Sequence, residues 1–245
     1  SKVIVPTLTF AATALAVLFN DLIPIFVDCD EETLCISPDQ IDYYGNEASA
    51  VIIVHFGGEA CNLDKILDLC SIHSLNLIED CAHTQGGTYK NQALGTWGDI
   101  GCYSFEEKKG MTTGDGGMLV TNKVEYHNYF QKQRWLGIDK DTWKRTATKS
   151  QSANKDWYYE ITEIGYKYNM NNLSAALGLS QLKRLESIRE RKNQVIKNYT
   201  KELSRCSAYK SLIPHNLLGK EQTSYWLYGL RVKQRDLLRQ KLKDN

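Results

Sequence analysis

No CxxC pair occurs among the seven cysteines, at 29, 35, 61, 70, 81, 102 and 206, and the five histidines never fall at HxH or HxxxH spacing. An odd set of thiols, with members such as Cys102 inside apolar runs, suits free buried cysteines in a reducing cytoplasm better than disulfides or zinc. Neither sign of charge is in excess: 30 basic residues against 29 acidic ones leave a formal net charge of +1. A nucleic-acid or membrane partner therefore has no electrostatic basis. The longest mostly apolar stretch, Thr9 to Leu18, is too short to span a bilayer, and it lacks the basic flank and cleavage site of a signal peptide. GxGxxG after a strand, a Walker lysine loop and a GxSxG elbow are all missing, which removes the usual dinucleotide, NTPase and hydrolase signatures.

What remains is a chain of 245 residues, 42% apolar, with alternating strand and helix patterns. Val3 to Val5 reads as a strand closed by Pro6, followed by a helix from Phe10 to about Phe19 with Thr9 as its N-cap. Pro24 to Asp28 and Val51 to Val54 are further strands, with His55 and the Gly57-Gly58 turn after the second. Asn62 to Ser74 is helical, and Leu75 to Ile78 is a strand ending on Glu79 and Asp80. Such repeats predict a mostly parallel sheet with helices on both faces, binding its ligand beyond the carboxyl ends of the strands. Ile100 to Phe105 is a short buried strand, and Gly117 to Thr121 returns antiparallel to it. Residues 139–160 lack periodicity and form a long excursion. One long helix is expected from Asn171 to about Leu203, then a strand over Tyr225 to Val232 and a helix from about Gln234. SKVIVP opens directly on a strand and QRDLLRQKLKDN stops inside a helical pattern, so a fragment of a longer protein is expected.

Chemistry gathers in IEDCAHTQG at 78–86 and IGCYSFEEKKGMTTGDGG at 100–117. Asp80 at a strand end, Ser104 and a lysine at 108 or 109 are the parts that a pyridoxal phosphate site needs. The carboxylate pairs with the pyridine nitrogen, the amine forms a Schiff base, and a hydroxyl or backbone amides hold the phosphate.

At these residues the chain resembles the DegT/DnrJ/EryC1/StrS family of pyridoxal-phosphate-dependent sugar aminotransferases. VIVPTLTFAATALAVL, PIFVDCDEETL, VIIVHFGGEACNLDKI, IEDCAHTQGGTYKNQALGTWGDIGCYSF, TTGDGGMLVTN and EIGYKYNMNNLSAALGLSQLKRLE look like family blocks in the family's order. The resemblance implies an α/β fold, the aspartate-aminotransferase-like fold type I. Residues 1–170 would be the cofactor-binding large domain, lacking its N-terminal part and the phosphate-binding threonine segment there. Residues 171–245 would be a connecting helix and the start of a truncated small C-terminal α+β domain. The family's register places the Schiff-base lysine four residues after the serine-phenylalanine pair, which selects Lys109. It also implies Asp80 as partner of the pyridine nitrogen, Ser104 on the phosphate, Phe10 stacked on the ring and His83 near the ring oxygen. Lys167, where many members have an asparagine, or Asn169, would reach the neighbouring subunit's cofactor phosphate. Glu106, Glu107 and Lys108 depart from the family's usual residues ahead of the lysine.

The implied protein is a cytoplasmic homodimer with shared active sites, and needs no metal. It would move an amino group from L-glutamate to a nucleotide-linked keto-sugar, typically a 4-keto-6-deoxyhexose, for surface polysaccharide or natural-product synthesis. A sugar 3-dehydratase on the same fold is the alternative, but those enzymes carry histidine in place of Lys109. A non-catalytic regulatory or scaffold paralogue is the other.

Overall fold

The structure, a computed structural model, describes residues 1–139, 159–205, 213–214 and 224–244. Its centre is a six-stranded sheet of β1 (Lys2–Pro6), β2 (Ile23–Val27), β3 (Ala50–Val54), β4 (Asn76–Asp80), β7 (Ile100–Ser104) and β8 (Gly117–Val120), in the order β2-β1-β3-β4-β7-β8. All neighbours are parallel except β7 and β8, which are antiparallel as the short connection predicts. Two-stranded β5 (Thr88–Tyr89) and β6 (Gln92–Ala93) form a small hairpin between β4 and β7.

Helices cover both faces, so the central strands are apolar on both sides. Side chains alternate along each strand. Val3 and Val5 of β1 and Ile52 of β3 pack with Val17 of α1 (Ala11–Leu18) on one face. Ile4, Val51 and Ile53 face the other way, into the larger core built with Ile41 of α2 (Pro38–Tyr44) and Leu63, Ile66 and Leu69 of α3 (Leu63–His73). The same alternation separates the two acids that end β4. Ile78 packs with the α1 cluster, whereas Leu77 joins the α2–α3 core; Asp80 and Glu79 follow those two sides in turn.

Several expectations are corrected. Thr9 does not cap α1: Phe10 occupies the N-cap position in an extended conformation, and the Thr9 hydroxyl pairs with that of Thr13 at 2.7 Å. Helices α2 and α4 (Val124–Gln133) were not expected; each is short and flanked by polar residues. The single long helix is two, α5 (Asn172–Leu182) and α6 (Leu185–Ser204). Arg184 leaves helical geometry at φ −103° and its N–H tightens to the Gln181 carbonyl, a break made without proline or glycine. Over Tyr225 to Val232 only β10 (Leu230–Arg231) is a strand, antiparallel to β9 (Ile213–Pro214). The preceding residues spend their backbone groups elsewhere, as described below. Helix α7 (Arg235–Lys243) follows where expected. The excursion at 139–160 falls outside the described residues over 140–158, as does Cys206. Among the described residues no helix is long and apolar enough to cross a membrane.

Candidate active site

The carboxyl ends of β3, β4 and β7 lie side by side, and Asp80 is the last residue of β4. Its carboxylate accepts from the Thr13 hydroxyl of α1 at 3.2 Å and from the Ala82 N–H at 3.0 Å. Thr13, itself buried, is steadied by Thr9, so a relay of two hydroxyls leads from the turn after β1 to Asp80. Phe10 stands at the start of the same helix with its ring 81% exposed, free to stack on a flat ligand.

Glu79, one residue earlier, has a different fate. It and His55 are both 0% exposed and meet at 3.0 Å. The remaining Glu79 lone pairs accept N–H groups from Gly95, Trp97 and Gly98, while His55 Nδ1 accepts from Cys61 N–H. Burial works to raise the Glu79 pKa, but the His55 hydrogen bond and those of the backbone N–H groups outweigh it and hold the carboxyl below its usual range. Cys81 completes a compact group with this pair, ligand atoms within 4.8 Å, but its thiol is pushed far up by burial. With every oxygen of Glu79 already engaged by donors, the group is a structural clasp between β3, β4 and the loop at 95–98.

Lys109 follows β7 in a tight turn, its N–H bonded to the Glu106 carbonyl. That turn is closed by Phe105, whose carbonyl accepts from Thr113 N–H and whose N–H donates to Gly116. Gly114 and Gly116 have φ of +82° and +139°, and a Cβ on Gly116 would sit 2.8 Å from Thr113 Oγ1, so glycine there is a requirement of the turn. Ser104, at the end of β7, accepts from Glu106 N–H through its hydroxyl at 3.4 Å, and its carbonyl accepts from Gln85 Nε2.

The amine of Lys109 lies 4.4 Å from the centre of the Trp226 ring, and among the described residues no carboxylate holds it. Trp226 stacks in turn on His83, with centroids 3.9 Å apart and planes 11° from parallel. His83 Nδ1 accepts from Gly57 N–H, so its ring proton is on Nε2. Burial first, then the charge of Lys109, pushes the His83 pKa down to about 4, and the ring is neutral near pH 7. His83, just beyond β4, and Lys109, in the turn after β7, thus both lie against Trp226. Lys167 and Asn169 meet directly: Lys167 Nζ donates to Asn169 Oδ1 at 2.6 Å and lies 3.6 Å from the Trp135 ring centre.

Trp226, Thr13 and Gln85 escaped the sequence reading. Thr13 is one helical turn beyond Thr9, a spacing that could have found it. Trp226 carried no local signal, because it is brought in by contacts across more than a hundred residues.

Sheet order, crossover helices and a strand-end cluster of carboxylate, imidazole and amine define an aminotransferase-type α/β fold. The structure of Helicobacter pylori PseC, an aminotransferase involved in the biosynthesis of pseudoaminic acid, superposes with a TM-score of 0.85 at 26% identity, covering 98% of this chain and 61% of that one. The chain belongs to the DegT/DnrJ/EryC1/StrS aminotransferase family, whose model matches residues 1–245. Among curated relatives, the spore coat polysaccharide biosynthesis protein SpsC of Bacillus subtilis is 39% identical over 199 residues, 81% of this chain and 50% of SpsC. The GDP-perosamine synthase of Escherichia coli O157:H7 is 32% identical over 248 residues, 99% of this chain and 62% of the synthase. The chain therefore spans about half to three-fifths of the length of these relatives.

Proposed function

We propose that this chain is the greater part of the catalytic unit of a pyridoxal-phosphate-dependent aminotransferase that delivers an amino group from L-glutamate to a nucleotide-linked 4-keto-6-deoxy sugar. The observation that carries it is the set of groups at the strand ends: a carboxylate oriented by Thr13 and Ala82 after β4, and after β7 an amine held by no carboxylate among the described residues. The donor set fits the cofactor. Asp80 keeps lone pairs to accept a pyridinium N–H, the Phe10 ring is open to stack on an aromatic ring, and the Ser104 hydroxyl can donate to a phosphate oxygen. When bound, the cofactor would supply an electron sink for a carbanion.

The residues of this chain do the rest. Asp80, anchored through α1, would hold a proton on the ring nitrogen, and the neutral His83 would offer its Nε2–H to a ring oxygen. Lys109 would engage the aldehyde, and its released amine would carry the proton that leaves the α-carbon of the donor. Lys167, held by Asn169, is a point charge suited to a phosphate of a partner subunit in a homodimer. Residues 1–170 would form the cofactor-binding domain and 171–245 the start of a second one. The amine at position 109 disfavours the 3-dehydratase alternative.

The test uses the full-length protein with pyridoxal phosphate, glutamate and a panel of GDP-, dTDP- and UDP-linked 4-keto-6-deoxy sugars. The GDP-perosamine synthase relatives put the GDP sugar first. An amino sugar formed together with 2-oxoglutarate supports the proposal. A deoxy sugar, or no turnover with any of the three, rejects it.

A further inference from the structure

Trp226 has no part in the motifs that mark the site, yet its backbone and side chain are pinned there from three directions. Its N–H and that of Leu227 both donate to the Gly57 carbonyl, at 2.8 and 3.2 Å. Its indole Nε1–H donates to the Lys108 carbonyl at 2.8 Å, which ties the ring to the turn that carries Lys109. The preceding Ser224, buried, donates to the His83 carbonyl at 2.7 Å. One ring face is closed by His83, and the Lys109 ammonium lies over the ring 4.4 Å from its centre. An indole is the strongest aromatic partner for a cation, and its attraction grows where water is excluded. The charged amine is drawn to the ring, so the contact fixes where the ammonium lies.

We propose that Trp226 is a positioning residue for Lys109: its ring is the seat on which the ammonium rests whenever no carbonyl has engaged the amine. This rests on Lys109 being the amine nucleophile. The seat has two consequences. It keeps the amine from pairing with Glu106 or Glu107 on its own turn, and it holds the amine in one place until a carbonyl engages it. The neutral His83 stacked on the indole makes the seat workable, since a cationic imidazole there would repel the ammonium.

The experiment reads the amine directly, in the chain free of cofactor. Lysines are labelled competitively with acetic anhydride across pH, and acetylation at 108 and 109 is separated by mass spectrometry. Trp226→Leu and Trp226→Met remove the aromatic face while keeping bulk, and Trp226→Phe keeps an aromatic face. Among the described residues, His83, Glu106, Glu107, Lys108, Lys192 beside Gly110 and Asp80 at the end of β4 are charged or titratable groups of the surrounding elements, and all stay unchanged. At each pH the acetylation rate of Lys109 relative to Lys108 should rise by about threefold in the leucine and methionine variants and by less in the phenylalanine variant. The absolute rate at Lys108, exposed, should not change. An unchanged ratio in whichever of the two aliphatic variants folds overturns the proposal, as does an equal rise in the phenylalanine variant or a parallel change at Lys108. Borohydride reduction of the unaltered protein with pyridoxal phosphate is the separate arm. Should the trapped lysine be another one, the functional assignment fails, whereas the rate ratio alone decides whether the seat exists.

Discussion

At the scale of single residues, two adjacent acids at the end of β4 do opposite work, and strand alternation is the cause. Asp80 points to the side of α1, where Thr13 orients it, and Glu79 points into the larger core, where His55 and three backbone N–H groups consume it. Different substitutions should therefore report different properties. Lys109→Ala should lower turnover by about 1,000-fold or more, and Asp80→Asn by about 100-fold or more, with thermal stability nearly unchanged. Thr13→Val removes one hydrogen bond to Asp80 and should cost about fivefold in turnover, since one such bond is worth about 1 kcal/mol. Steady-state rates beside melting curves check all three, and a Thr13→Val protein with full activity would show that the Asp80 carboxylate needs no outside orientation.

Elements are held by buried polar groups as much as by apolar packing. The clasp of Glu79 and His55 joins β3 and β4 to the loop that leads into β7, and it is wholly buried. Glu79→Gln keeps the shape but leaves donors facing a weaker, partly mismatched acceptor, and should destabilise the fold by about 2–4 kcal/mol. The pH dependence follows from the lowered carboxyl pKa in the folded protein. A depressed pKa contributes stability above the unfolded value, near 4.5, that is lost as pH falls through the folded value. Resistance to denaturant should thus fall steeply below that pH in the unaltered protein and less steeply in the variant. In the turn after β7, Gly116→Ala meets both a positive φ of +139° and Thr113 Oγ1 at 2.8 Å, and should cost about 1–3 kcal/mol. A melting temperature equal to that of the parent would show that the turn can relax.

Across the whole molecule, the sheet and the residues near 225 form one site only because the C-terminal segment folds back over the Gly57-Gly58 turn. Tyr225 N stands 2.9 Å from the position a Cβ on Gly58 would take, where φ is +96°. Gly58→Val should lift the segment off, costing about 1–3 kcal/mol and opening residues 224–228 to protease. Limited proteolysis followed by mass mapping checks it, and unchanged cleavage would mean that other contacts suffice. The exposed apolar side chains Phe19, Ile164 and Leu173 are available for a larger assembly, and sedimentation of the full-length protein checks the homodimer.

Sequence patterns alone determined the layered α/β plan. Apolar runs bounded by turns gave β1, β3, β4 and β7, the short return gave an antiparallel β8, and the family resemblance pointed to Lys109, Asp80, Ser104 and His83. The strand features depend on local periodicity and on neighbours a few residues away, which one dimension records. The tertiary structure decided the rest: that Glu79 is consumed by His55 and the loop at 95–98, where the helix after Asn171 breaks, and that Tyr225 to Gly229 leave the strand pattern to meet Gly57, His83 and Lys109. Each of these is settled by a hydrogen-bond donor or a ring that arrives from a distant part of the chain, and such a partner leaves no mark on the local spacing of residues.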